Sequence, residues 1–168
     1  MKKFCIDTSA ITNPLYSTPE DVYPTLWLRV AEAIESGIFA VTTEIYEELN
    51  GSVSGRIGEC IDANRTNLVM EIAAGNWSDV EYVEQVTRMQ SQYRRFISEY
   101  SEGNPAKTVC MNDISIIALS KTLGVPVVSM EASTTTSERH KRIPDICRLD
   151  GIEHLDFNQL LRRIGIAI

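Results

Sequence analysis

The chain has 168 residues, 43% of them hydrophobic and 23% charged, with a formal net charge of −7. That length predicts one domain with its own core, and the composition excludes a disordered or fibrous chain. The acidic balance excludes a protein coated in positive charge for non-specific nucleic-acid binding, while leaving room for a local basic patch.

Residues 3–7 read as a buried strand, in which the apolar run Phe4-Cys5-Ile6 ends at Asp7. Only three apolar residues follow Met1-Lys2-Lys3, so no secretory leader is expected. Asp7-Thr8-Ser9 offers N-cap chemistry for a short helix that Pro14 is expected to interrupt, with 14–21 as loop. Helix is predicted over 22–36, where Leu26, Val30, Ala33 and Ile34 form one stripe and Gly37 follows as C-cap. Residues 38–41 are the next strand. Thr42-Thr43 then caps a helix bearing Glu44, Glu47 and Glu48, which ends near Gly51.

Residues 52–66 give a weaker helical pattern, and 68–72 read as a short strand or edge segment. Ser78-Asp79 is expected to cap a long helix reaching residue 100, broken after it by Glu102-Gly103-Asn104-Pro105. Residues 112–123 are strongly helical and closed by Gly124, and 125–129 are again strand. The polar stretch 132–142 reads as loop, 153–156 as a last strand and 157–164 as a last helix. Alternating strands and helices at this spacing predict an α/β fold with a parallel central sheet wrapped by helices. No apolar run approaches the length of a membrane span. The cysteines, Cys5, Cys60, Cys110 and Cys147, include no C-x-x-C pair, which argues against a zinc site and for reduced thiols in a cytoplasmic protein.

Four acids recur at strand ends or on the helices that follow: Asp7, Glu48, Asp113 and Glu131. In open α/β sheets, ligands bind outside the carboxyl ends of strands. Carboxylates gathered there repel one another, and a hard divalent cation, Mg²⁺ or Mn²⁺, relieves the repulsion. Each residue also has a plainer explanation. Asp7 and Asp113 suit helix N-termini, where a negative charge contributes about 0.3–1 kcal/mol. Glu44, Glu47 and Glu48 suit a solvated helix face, and position alone does not choose among them. Arg139, His140, Lys141 and Arg142 form a basic run beside Glu131 that reads either as solvated surface or as a phosphate-contacting rim. His140 receives no catalytic role.

The stretches FCIDTS, VTTEIYEEL, NDISIIALS, VPVVSMEA and IPDIC, taken in order, resemble the PIN-domain family, and in particular its branch with a C-terminal I-P-D-x-C motif. The resemblance covers nearly the whole chain. It implies a three-layer α/β/α sandwich formed by a single domain over 1–168. It also implies Mg²⁺- or Mn²⁺-dependent endoribonuclease activity leaving 5′-phosphate and 3′-hydroxyl ends. Many relatives are toxins of VapBC-type toxin–antitoxin pairs, so RNA, a cognate antitoxin and a second copy of the chain are the implied partners, with no membrane involved. By motif, Asp7, Glu48, Asp113 and Glu131 match the catalytic and metal-binding acids, with Glu47 a near neighbour of Glu48. Glu131 stands where the family usually has aspartate. Ser9 and Ser129 match supporting hydroxyls, and Asp145 in the I-P-D-x-C segment adds a further carboxylate. Arg139, Lys141 and Arg142 are the implied RNA contacts. A rival expectation is the same fold with an incomplete site, acting as a metal-poor, protein-binding scaffold. A phosphate-accepting Asp7 of the haloacid-dehalogenase kind is disfavoured, because Ser9 stands where that chemistry wants a second aspartate.

Overall fold

A computed structural model describes residues 1–100, 109–134 and 140–166. Its sheet has four strands: β1 (Phe4–Ile6), β2 (Phe39–Ala40), β3 (Val127–Val128) and β4 (His154–Leu155). All pairings are parallel, in the order β2-β1-β3-β4. Phe4 faces Phe39, Cys5 faces both Ala40 and Val127, and Val128 faces Leu155. The strands are short, and β1 is buried along its whole length, as a central parallel strand covered on both faces must be.

Between β1 and β2 run α1 (Ser9–Ser17) and α2 (Pro24–Glu35). Between β2 and β3 come α3 (Thr43–Ser52), α4 (Gly55–Ala63), α5 (Arg65–Leu68), α6 (Asp79–Gln92) and α7 (Met111–Leu123). The last two are α8 (Ile143–Leu149), ahead of β4, and α9 (Phe157–Arg163), after it. The crossover from β1 to β2 runs along the sheet in the opposite direction to those leading to β3 and β4. Right-handed crossovers therefore put their helices on opposite faces. The result is the expected three-layer α/β/α arrangement. Trp27 of α2 stacks on Phe157 of α9 with ring centroids 5.7 Å apart. The helix α7 packs on β1 and lies against α6 and α8. It buries Ile114, Ile116, Ile117, Ala118 and Leu119, and its chain reverses at Gly124, where φ is 65° and a Cβ would be strained.

Several element boundaries differ from expectation. Helix α1 continues through Pro14 to Ser17, so the loop begins later than predicted. Proline lacks an N–H and its ring crowds the preceding turn, but the Pro14 carbonyl accepts from the Thr18 N–H and hydroxyl, each at 2.7 Å, which holds the last turn. Helix α6 stops at Gln92, well short of residue 100, and two 3₁₀ turns follow, Arg94–Phe96 and Ser98–Tyr100. The stop falls where the buried Tyr93 hydroxyl donates to Asp150 Oδ2 at 2.7 Å, a tertiary bond that local periodicity does not encode. The segment over 68–72 contributes a single parallel bridge, Val41 to Val69, and no strand. Helix α8 falls in the stretch 143–152, for which the sequence predicts no element. The break expected at residues 102–105 lies outside the described residues. Among those described, no helix is long and apolar enough to cross a membrane.

Because α7 carries the centre of one face, Ile117→Ala, at a side chain with no exposure, is expected to destabilise the fold by about 2–5 kcal/mol. Urea unfolding of wild type and variant measures the difference.

Candidate functional site

The strand order reverses direction between β1 and β3, and a sheet of this kind opens a crevice outside the carboxyl ends of the two strands at that point. Asp7 sits there, directly after β1, and is only 5% exposed. Its backbone N–H donates to the Val128 carbonyl at 2.9 Å, so the end of β1 is locked to the end of β3. Asp7 Oδ2 accepts from the Ser9 N–H at 3.0 Å and from the Ser9 hydroxyl. That hydroxyl in turn accepts from the Met130 N–H at 2.9 Å. One serine thus orients the buried carboxylate and ties the two strand ends together.

Three more acids come from other segments. Glu48, on the exposed side of α3, is gripped at both oxygens: Oε2 accepts from the Thr8 hydroxyl and Oε1 from the Asn112 side-chain amide, each at 2.6 Å. Among the described contacts Glu44 and Glu47 have no such tie, so geometry selects Glu48 where sequence position did not. Asp113 stands at the third residue of α7, and its Oδ2 accepts from the Cys110 N–H at 2.7 Å, capping the helix. Glu131 follows β3, and its Oε2 accepts at 2.9 Å from the N–H of Ile143, the first residue of α8.

These groups feel one another. Burial pushes the Asp7 carboxyl up against the opposing Ser9 bonds, and the Glu48 charge adds to the rise. Burial, with the Asp7 and Glu131 charges behind it, pushes Asp113 up to about 7. Glu131 is raised by burial and by Asp7 and Asp145, while Arg142 opposes. In their present orientations, however, no three His, Cys, Asp or Glu side chains among the described residues converge closely enough to grip an ion. The carboxylates surround one crevice, each turned toward its own protein donor.

The remaining expected residues divide. Ser9 supports Asp7 directly. Ser129 is fully buried and turns away, hydrogen-bonded to His154 Nε2 at 2.8 Å, with the Glu131 N–H approaching its hydroxyl at 3.4 Å. Asp145, the further carboxylate of the I-P-D-x-C segment, has no exposure, and both of its oxygens are engaged by protein donors. It accepts from the Ser133 hydroxyl, from the Thr134 N–H (2.9 Å) and hydroxyl (2.7 Å), and from the Arg142 N–H (3.0 Å), while Arg148 lies at 3.4 Å. Burial works against its charge, yet the Ser133 and Thr134 donors outweigh it and hold Asp145 down to about 2. It is the anchor of the loop entering α8. Arg142 is exposed near Glu131, Lys141 is partly buried, and Arg139 lies outside the described residues. Sequence reasoning missed Thr8 and Asn112. Each adjoins an acid it had found, and adjacency was the available signal.

Residues 4–168 match a family described as a domain of unknown function, DUF4411. The chain belongs to the DUF4411 family. No curated protein matches it. Within this DUF4411 chain the matched region takes in every acid of the crevice.

The raised carboxyls give the site a pH signature. Asp113 protonates near 7 in the folded chain but near about 3.9 when unfolded, so between those values the folded state holds the extra proton. Stability of the metal-free protein is therefore expected to fall as pH rises from about 4 to about 7 and to level off above. Thermal melts in chelator across that range should show the slope, and Asp113→Asn should flatten it.

Proposed function

We propose that this DUF4411 protein is a divalent-metal-dependent endoribonuclease with a PIN-like active site formed by Asp7, Glu48, Asp113 and Glu131. The observation that carries the reading is the gathering of four carboxylates from four separate segments at the β1/β3 crevice, three of them with raised proton affinity. The donor set suits Mg²⁺ or Mn²⁺: all four ligands are hard oxygens, and Asp7 and Glu131 each keep one oxygen outside the described hydrogen bonds. When bound, such an ion supplies an acidified water and positive charge for the phosphate oxygens.

The chain's own residues do the rest. Asp7 is held in place by Ser9, and Glu131 by the start of α8. Glu48 reaches the crevice by exchanging its Thr8 and Asn112 donors. Asp113 gives up the proton it holds near neutral pH, so cation uptake releases acid. Arg142, Lys141 and Arg139 supply contacts to RNA phosphates. The same reading makes the protein the toxin of a toxin–antitoxin pair acting in the cytoplasm. Its antitoxin would cover the crevice with an arginine against the carboxylates, and the helices on one side would support a homodimer.

Asp7→Asn is expected to lower Mn²⁺-stimulated cleavage of single-stranded RNA by more than about 100-fold, and Ser9→Ala by about 10–100-fold, with both variants folded by circular dichroism. Undiminished cleavage by Asp7→Asn would end the proposal.

A second reading draws on the full occupation of both Glu48 oxygens and on the lack of convergence among the described acids. It makes the chain a metal-poor scaffold that binds a partner protein. Titration with Mn²⁺ separates the two. An ion at one hundred times its dissociation constant stabilises the fold by about 2.7 kcal/mol, whereas a scaffold shows no shift in melting.

A further inference from the structure

A second cleft lies at the other end of the sheet. It encloses about 710 Å³. Its walls include Met1 and Lys2, which lead into β1, Ser36 and Gly37, which precede β2, and Leu123 at the end of α7. All of these stand at the amino ends of the strands, so the cleft shares no residue with the acidic crevice. Its volume falls within the range of about 300–1,000 Å³ typical of small-molecule sites.

Its charged side chains are two cations and one carboxylate, Glu71. Lys2 and Arg65 line it, together with the exposed Met1, in a chain whose net charge is −7. The Lys2 ammonium is half-buried. It donates to two backbone carbonyls, those of Phe39 (2.6 Å) and Asn67, and among the described residues no carboxylate answers its charge. An ammonium has three donors, so one remains. Arg65 commits Nη1 to Glu71 at 2.7 Å, and its guanidinium carbon lies 5.4 Å from the Tyr46 ring centroid. The other arms of its fork are left for a second acceptor. A charge withdrawn from water without a counter-charge is costly, and an anionic ligand removes that cost.

An aromatic wall completes the site. Trp77 lines the cleft, fixed by its Nε1–H donating to the Glu71 carbonyl at 2.9 Å and braced by Tyr82 at 5.4 Å between centroids. A pinned indole beside two cations suits a flat ring joined to a multiply charged group. We propose that this cleft binds a nucleoside monophosphate, with its base against Trp77 and its phosphate at Lys2 and Arg65. The site is independent of the ribonuclease reading.

The chain has two tryptophans, and the other, Trp27, is buried against Phe157, so Trp77 reports the cleft by fluorescence. Adenosine 5′-monophosphate in chelator is expected to quench emission saturably in the full-length protein, and adenosine to bind at least about tenfold more weakly. Lys2→Ala and Arg65→Gln should each weaken binding by about tenfold in calorimetry. Asp7→Asn, at the far end of the sheet, should leave it unchanged. Thermal melts guard against loss of fold in Lys2→Ala, and Arg65→Gln carries the test if that variant fails to fold. The absence of saturable quenching at millimolar nucleotide overturns the proposal. So does equal binding of adenosine and its monophosphate, or binding lost with Asp7→Asn.

Discussion

A nearly buried carboxylate at the end of the central strand is the constraint around which this fold is arranged. Asp7 leaves water because β1 is covered on both faces and ends inside the sheet's own reversal point. Burial is the largest influence on Asp7, Asp113 and Glu131 alike, and it acts in one direction, against the charged form. Apolar packing offers no remedy for a buried charge. Hydrogen bonds, a shared proton or a cation do, and the first of these is visible throughout the crevice.

Those hydrogen bonds also build the helices. Asp113 caps the start of α7, and Glu131 accepts from the first residue of α8. Asp145 satisfies the entry to the same helix while holding Ser133 and Thr134 in place. A carboxylate that closes an orphaned N–H at a helix start benefits from the local dipole as well. The acids therefore serve the fold even with no ligand present. This explains how like charges are tolerated so close together. It also means that presence in the crevice does not by itself separate a metal ligand from a cap. Asp145 falls on the capping side because its oxygens are all engaged and it has no exposure. Asp7 and Glu131 each keep one oxygen outside the described side-chain hydrogen bonds.

The parallel sheet was legible from the sequence because its strands are short apolar runs ending in polar residues, and because Gly37 and Gly124 follow helical stripes. Both glycines adopt positive φ. The ends of α1 and α6 were not legible: the Thr18 donors close the last turn of α1 on the Pro14 carbonyl, and a tertiary bond, Tyr93 to Asp150, marks the end of α6. Helix α8 was hidden because its amino-terminal support comes from Ser133 and Thr134, which precede Asp145 by 12 and 11 positions in the sequence. The four crevice acids were each found from their place after a strand or on a following helix. The choice of Glu48 over Glu44 and Glu47 required the third dimension, because only Glu48 meets Thr8 from α1's entry and Asn112 from α7.

Acids gather at the carboxyl ends of the strands while Lys2 and Lys121 sit toward the amino ends, and the βα arrangement gives a reason. Each helix that follows a parallel strand begins at the strand's carboxyl end and runs back, so helix amino termini, with their partial positive charge, collect beside the acids. Helix carboxyl ends collect at the opposite side, where partial negative charge favours cations. Lys2 donates there to the Asn67 carbonyl in the last turn of α5, and Lys121, in the last turn of α7, donates to the Asp150 carbonyl at 2.7 Å. Side chains thus follow a polarity that the backbone already has. Acids at the carboxyl ends meet a favourable field that partly offsets their mutual repulsion, and the same field, reversed at the amino ends, steadies the Lys2 charge that burial disfavours. The chain's net charge of −7 describes neither end. What a ligand meets is set by the end of the sheet it approaches.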